Sequence, residues 1–584
     1  MDYNICIDFG TCNSVVSYIE DGILKQIQDD ITGDVLIPTS IYFINSEIKI
    51  NKKFIDLEPE LDYLIGSASN DLINSNKDWE NYFFQFKRFL GITSKSVNTY
   101  KDFLLRYNLE YVTDDDTIYF YIKTSDDSDY KIKFSICDLI RLFFKALKKM
   151  IINKLKIKDL TNAIPIILTC PAYFHDLQRS QLKRAAEQSG FEIFKLINEP
   201  TAAAVFYINK YSKSLIPDKY IIYDLGGGTI DTTVVEYYPD SNLCEVVDID
   251  GNNGLGGIDI DNILTYDIIS RYSIDKTNIK WLNKIKKYAE EIKIKLTVQN
   301  NYTIYLENVP VNKLGKIILE DNLKITYSRQ LFNNLINDII DQMILSVKNM
   351  YLKYKTSNII FIGGPTQIPL LQQKVYSIIN SDNGSNPNLN TIGTKNINTE
   401  NVNIENVNTE NKSNDLILYK TIVSQGGCVF YRKIATKEDF CLLDIIPMNI
   451  GINDPDNNMI MMIEKNSKIP ISIERYFSTS HDCQRTIDIE IYEGLELSCD
   501  SNTFIGSYKI IGIPPLPKGM ILIKLLFKIS YNGILDISIN GFKNPSDNSA
   551  KSFDFKLCEN IKIIPNIIAK ELLKKITLLL SEKK

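Results

Sequence analysis

The sequence predicts a two-lobed α/β domain built around a nucleotide cleft, followed by an antiparallel β-sandwich and a short C-terminal helix. Three observations predict it. Residues 221–236 (IIYDLGGGTIDTTVVE) read as an apolar strand, Asp224, a Gly226-Gly227-Gly228-Thr229 turn and a second β-branched strand. The same order opens the chain: an apolar run to Ile7, Asp8, then Gly10-Thr11-Cys12-Asn13 and Val15–Tyr18, as expected of a duplicated phosphate-clamping unit. From Ile445 to Ile539 the pattern changes to short alternating strands separated by turn signals, which is the signature of a sandwich.

The two hairpins carry the chemistry. Glycines let backbone N–H groups approach an anion closely, and a carboxylate at the strand end can hold a metal or its water shell. A third glycine pair, Gly363-Gly364, follows the apolar strand Ile359–Ile362 and would stand behind the cleft on the adenosine side.

Between these landmarks the elements follow in order. Asp21-Gly22 marks a hairpin turn. Asp138 to Lys158 has apolar residues at helical spacing and a basic outer face, hence an amphipathic helix. Ala163–Thr169 is a buried strand that ends at Cys170-Pro171, where proline forces an abrupt change. Gln178–Ser189 is a helix closed by Gly190, then comes a strand at Glu192–Leu196. Residues 380–414, rich in Asn, Ser, Thr and Gly and containing INTEN, VNIEN and VNTEN, lack apolar periodicity and read as a disordered insertion. The helix after it, Asp415–Tyr431, is weakly marked. The tail from Asn566 reads as one amphipathic helix. The predicted division is 1–437 for the first domain, 438–445 for a linker, 446–541 for the sandwich and 542–584 for a truncated helical tail.

Composition bounds the function. The balance of 44% hydrophobic and 24% charged residues is that of a soluble globular chain, and 584 residues suit three or four domain-sized units. A net charge of -6 gives no basic surface for nucleic acid, and no apolar run is long enough to span a membrane. The first strand begins almost at Met1, so no leader is expected and the cytoplasm is the default compartment. The ten cysteines form no C-x-x-C, and His175 and His481 lie far apart, which argues against disulfides, structural zinc or a triad.

Asp8–Ser14, Pro171-Ala172-Tyr173-Phe174, Ile197–Ala204, Asp224–Asp231 and Gly363–Pro369, taken in this order, resemble the ATPase-domain motifs of the DnaK-type Hsp70 chaperones. The resemblance implies an actin-like ATPase domain of duplicated ribonuclease-H-like units, with ATP or ADP, Mg2+ and K+ as its cofactors. It implies catalytic roles for Asp8, Glu199, Asp224 and Thr229, with Asp8 and Asp224 holding Mg2+ through water. Phe86–Gly91 resembles the family's KR-x-x-G element, which would set Lys87 against the γ-phosphate. Phosphate contacts would come from Gly10, Thr11, Cys12, Asn13, Gly226, Gly227 and Gly228, with Gly256 and Gly257 of an LGG-x-D-x-D segment adding backbone N–H groups. Glu290, Lys293 and Thr297, with Gly363 and Gly364, match the adenosine side. Ile294 stands where general stress chaperones carry an adenine-stacking arginine.

The same resemblance makes Pro171 and Arg179 relays of nucleotide state and makes Leu442 and Leu443 part of a linker that docks in one state. Ile450, Ile452, Ile487 and Ile489 would line a peptide pocket, with Pro455 and Ser480 as arch residues. Ile294 and the segment Gly512–Gly519 are most similar to the HscA-type chaperones of iron–sulfur cluster assembly. The implied partners are a client polypeptide, such as a cluster scaffold protein, and a J-domain co-chaperone, around a monomer. Three functions follow from this reading: an ATP-driven chaperone for cluster assembly, a general folding chaperone, and a degenerate nucleotide-binding module that does not hydrolyse. A small-molecule kinase on the same two-lobed fold would not need the C-terminal sandwich.

Overall fold

The computed structural model describes residues 3–558 apart from 45–61, 75–80, 94–96, 98–110, 115–116, 124–130, 159–161, 212–217, 314, 384–408, 544–551 and 554–555. In the first lobe, strand Asn4–Phe9 pairs antiparallel with Asn13–Glu20 and parallel with Ile164–Cys170, and the sheet continues outward through Phe191–Asn198 on one side and Ile23–Gln26 on the other. In the second lobe, strand Asp218–Leu225 pairs antiparallel with Ile230–Tyr238 and parallel with Ile359–Ile362. Both sheets share a core in which the first hairpin strand pairs antiparallel with its partner and parallel with a later strand, so the duplication read from the two hairpins extends to topology.

Local chemistry explains the main helices. Ser135 caps Ile136–Leu155 by accepting from the Asp138 N–H, while the Asp138 side chain accepts from the Ser135 N–H. Ile136, Leu139, Ile140, Phe143, Leu147 and Ile151 fall on one face and are buried in the first lobe's core. Burying that many large apolar side chains, each contributing about 1.5–3 kcal/mol, holds the helix on the sheet.

The helix at residues 415–431 proves longer and better placed than its sequence indicates. It runs from Thr409 to Ala435 and packs against helix Glu199–Tyr211 and strands Asn4–Phe9 and Asn13–Glu20. Gly426 and Gly427 make this approach feasible. A Cβ at Gly426 would lie 1.8 Å from the Ala202 carbonyl oxygen, and one at Gly427 would lie 2.2 Å from the Cys6 sulfur. Two glycines cost a helix about 1 kcal/mol each relative to alanine, and close packing offsets that cost. Ile422, Cys428 and Val429 of this helix join Cys6, Ile167, Ile197, Ile222 and Ile360 in one core that spans both lobes.

The boundaries of the predicted insertion also shift. Helix Pro369–Asn383 runs into its first residues and Thr409–Ala435 begins before its end, because helix continues where composition alone reads as loop. Residues 384–408 lie outside the described residues, as does the tail helix predicted from Asn566.

The linker is a strand. Cys441–Ile445 pairs parallel with Leu243–Asn252 in the second-lobe sheet, with Leu442 opposite Cys244 and Leu443 opposite Glu245, and antiparallel with Lys468–Ile469 on its other side. Beyond it lie two antiparallel sheets: Met459–Ile463, Asn449–Asn453, Thr486–Gly494 and Thr503–Ile511 in one, Ile471–Ser478, Ile521–Ile529 and Leu535–Lys543 in the other. A boundary at 541 would cut the last of these. Ser552–Phe553 and Lys556–Cys558 add short strands where a helical tail was expected, because backbone pairing at the sheet edges takes up this segment. Among the described residues, no helix is long and apolar enough to cross a membrane.

Candidate nucleotide cleft and its link to the sandwich

The tips of the two hairpins face each other. A Cβ added at Gly227 would lie 2.4 Å from the Cys12 sulfur, and one at Gly228 would lie 3.0 Å from Thr11. A side chain at either position would push its neighbours aside, and the tips thereby stand close together between the lobes. Gly363, at φ 84°, lies against the Leu225 carbonyl and 3.2 Å, measured from its hypothetical Cβ, from the Asp224 carboxylate. Thus Gly10–Asn13, Gly226–Thr229 and Gly363-Gly364 are brought together, as the motif order implies.

Segment 256–258 behaves differently from the expectation. The N–H groups of Gly257 and Ile258 donate to the carbonyls of Gly226 and Gly227, at 3.0 and 2.9 Å. They buttress the Gly226–Thr229 hairpin and are taken up by its carbonyls. Helix Gly257–Arg271 starts there, with the Asp259 side chain accepting from the Gly256 N–H.

Carboxylates dominate the cleft. Asp8 is half-buried, accepts from the Thr169 hydroxyl at 3.0 Å, and is pushed up to about 7 by desolvation and then by Glu199, against the pull of Lys87. Asp224 is raised well above the usual carboxylate range by burial and by Glu199, Asp231 and Asp8. Lys87 donates to Glu199 Oε1 at 2.8 Å, with 3% and 11% of the two side chains exposed. Its ammonium also stands 5.5 Å from the Phe174 ring centroid.

Asp231 is the residue that reading the sequence missed. It stands directly across the ladder from Asp224, is 1% exposed, and is pushed up to about 7 by burial and by Glu199 while accepting from the Tyr173 N–H at 2.7 Å. The signal was there: two strands leaving one turn put Asp224 and Asp231 opposite each other. Like charges across a ladder are unfavourable unless something positive sits near them.

The donor set fits nucleotide with hydrated Mg2+. Asp8, Asp224, Asp231 and Glu199 face one lysine, so the buried site is short of positive charge. Among the described residues, no three acidic, Cys or His side chains gather closely enough to hold a bare ion. Behind the hairpins Lys293 donates to Asp261 Oδ2 at 2.7 Å and to the Gly257 carbonyl at 3.2 Å, while Asp261 Oδ1 is buried without a partner. The Thr297 hydroxyl turns to the Lys293 carbonyl of its own helix. Glu290 is close enough to Asp261 to help push it up to about 7, behind burial and against the pull of Lys293.

From the cleft a polar chain leads to the linker. Arg179 donates to the Pro171 and Ala172 carbonyls, at 3.4 and 2.9 Å, and to Asn198 Oδ1 at 2.8 Å. Asn198 Nδ2 in turn donates to both carboxylate oxygens of Asp444 at 3.0 Å. Asn198 immediately precedes Glu199, so adjacent residues contact Asp444 and Lys87.

The sandwich is seated on the first lobe. The Leu196 N–H donates to Asn532 Oδ1 at 3.0 Å, the Leu535 N–H to Asp176 Oδ1 at 2.7 Å, and Lys195 to the Tyr531 carbonyl. Within it, Ile450, Ile452 and Ile489 are buried in the core between the sheets, and Ile487 packs against that core from a more open position. Pro455 and Ser480 are exposed.

Comparison with known proteins agrees with this architecture. A family model described as Hsp70 protein matches residues 4–391 and 423–552. The chaperone protein DnaK of Mycoplasma mycoides subsp. mycoides SC is 29% identical over 568 residues, which cover 95% of this chain and 80% of that protein. The DnaK of Thermosipho africanus is 30% identical over 435 residues, covering 71% of this chain and 66% of its own length. That of Phaeodactylum tricornutum is 28% identical over 550 residues, covering 91% and 78%. With a hairpin pair, a linker strand and a sandwich in the order that the matched residues span, the chain belongs to the Hsp70 family.

Proposed function

We propose that the chain is an ATP-dependent chaperone in which the state of the cleft governs how the sandwich holds a client polypeptide. One observation carries this reading: Glu199 pairs with Lys87 in the cleft while its neighbour Asn198 holds Asp444 of the linker. A change at the phosphates cannot move one without straining the other. Thr11, Cys12, Asn13, Thr229 and the glycine turns would hold the phosphates. Asp8, Asp224 and Glu199 would order the waters of Mg2+ and the attacking water, and Lys87 would neutralise charge building on the transferred phosphoryl group. Bound Mg2+ would supply the positive charge that these carboxylates lack.

Single-turnover hydrolysis of radiolabelled ATP tests the reading. Wild type should turn over once, and Lys87→Ala should slow the step by about 10²–10³-fold, the usual cost of losing one preorganised transition-state donor. No turnover by wild type would favour the non-hydrolysing module instead.

Two client classes follow. The DnaK names of the relatives suit a general unfolded polypeptide, with a J-domain co-chaperone, acting as a monomer in the cytoplasm. Ile294, 51% exposed on helix Ile279–Val298, offers no guanidinium to stack on adenine, and favours the narrower iron–sulfur scaffold. Its loss should weaken nucleotide binding by about 0.5–2 kcal/mol. A pull-down with and without ATP separates the two: a nucleotide-released cluster scaffold supports the narrower client, and a broad set of unfolded chains the general one.

A further inference from the structure

Arg88 follows Lys87 in the 3-10 turn Phe86–Phe89, yet the two neighbours reach different lobes. Lys87 stays within the first lobe, on Glu199 and beside Phe9 and Phe174. Arg88 crosses to the second, with its side chain only 2% exposed. Its Nη2 donates to Asp259 Oδ2 at 2.6 Å, to the Gly228 carbonyl at 3.2 Å and to the Gly254 carbonyl at 3.2 Å, and its Nε lies 3.4 Å from the same Gly228 oxygen. Every one of these acceptors belongs to the phosphate hairpin or to the helix start that buttresses it.

We propose that Arg88 is a positioning residue that latches the lobes over bound nucleotide and orients the phosphate hairpin. Holding the Gly228 carbonyl fixes the peptide plane it shares with the Thr229 N–H, which points the opposite way because the bond is planar and trans. The same guanidinium joins the rim of the cleft to Asp259, so the lobes cannot part without breaking a buried, charge-assisted contact. Lys87 acts on the reacting phosphoryl group. Arg88 acts on how long the nucleotide stays, through uniform binding that affects ground and transition states alike.

The inference rests on the nucleotide reading above, and dissociation of a fluorescent ADP analogue from the full chain in stopped flow separates the two. Wild type should bind the analogue. Arg88→Ala should release it about tenfold faster or more, as loss of a charge-assisted contact implies. Asp259→Asn keeps an acceptor for the Gly256 N–H, and should release the analogue faster to a similar degree. The double variant should be no faster than the singles, and Arg88→Lys should recover part of the loss. In steady state KM for ATP should rise while kcat changes little. If Arg88→Ala fails to fold, Asp259→Asn alone carries the test. Off-rates within about twofold of wild type in a chain that binds the analogue would overturn the latch and leave the nucleotide reading standing. Failure of wild type to bind would overturn both.

Discussion

The backbone N–H of Asp176, at the start of a first-lobe helix, donates to Glu493 Oε2 of the sandwich at 2.9 Å. Two carboxylates therefore meet across the docked surface. Burial pushes Glu493 up to about 8, against the hydrogen bond from the Asp176 N–H, with the Asp176 carboxylate adding to it and Arg179 opposing; burial pushes Asp176 up to about 6. Arg179 and Tyr173 face the pair from the first lobe, and Asp444 of the linker lines the same cavity. Undocked, both carboxylates return towards ordinary values near 4, so docking takes up protons. Docking should be strongest below about pH 4, should weaken as pH rises to about 8, and should level off above that, by up to about tenfold per pH unit for each titrating carboxylate. Interdomain energy transfer in saturating ATP between pH 6 and 9 checks this. Glu493→Gln should dock more firmly at pH 8 and lose most of the dependence above pH 6.

Asn198 is the joint between cleft and linker. Asn198→Ala removes both the acceptor for Arg179 and the donor to Asp444. It leaves a buried carboxylate with one partner fewer, at a cost of about 1–3 kcal/mol to the docked arrangement. ATP should still bind, but amide exchange at 441–445 should no longer slow when ATP replaces ADP. Unchanged protection would remove Asn198 from the path.

Gly426 and Gly427 can be tested by stability alone. Gly427→Ala forces the Cys6 sulfur to shift, and Gly426→Ala meets the Ala202 backbone, which cannot. Overpacking of this kind costs about 1–3 kcal/mol, so the thermal midpoint should fall in both, more for Gly426→Ala. A rise in either midpoint, the ordinary result of Gly→Ala in a helix, would contradict the packing argument.

Asp231 lies across the ladder from Asp224, where the two carboxylates repel each other. Its folded value near 7 is raised above the ordinary carboxylate range, so the ionised form opposes folding from about pH 4 upward. Asp231→Asn keeps an acceptor for the Tyr173 N–H and removes the charge. The thermal midpoint at pH 8 should rise while ATP hydrolysis slows, a trade of function for stability. Calorimetry and single-turnover kinetics on the same preparation check both.

Much of this was legible in the residues, for identifiable reasons. A strand ending in Asp, a glycine turn and a β-branched strand have few other uses, so both hairpins and their facing arrangement follow from pattern. The linker strand was legible too, since apolar Leu442 and Leu443 need a neighbour. What hid were residues whose role depends on a distant partner. Arg88 reads as a solvated charge until Gly228 and Asp259 come alongside it. Helix Thr409–Ala435 looks eroded because its glycines serve a crossing contact with Ala202 and Cys6, which no local propensity records. Glu493 carries no local signal of its contact with the Asp176 N–H, which the seating of the sandwich creates.

The central claim is that the cleft and the sandwich report to each other, and the release rate of a fluorescent client peptide measures it most directly. With ATP in place of ADP, release should quicken by about tenfold or more, in line with a coupling of roughly 1–3 kcal/mol. Equal release rates in the two nucleotides, from a chain shown to bind both, would contradict it.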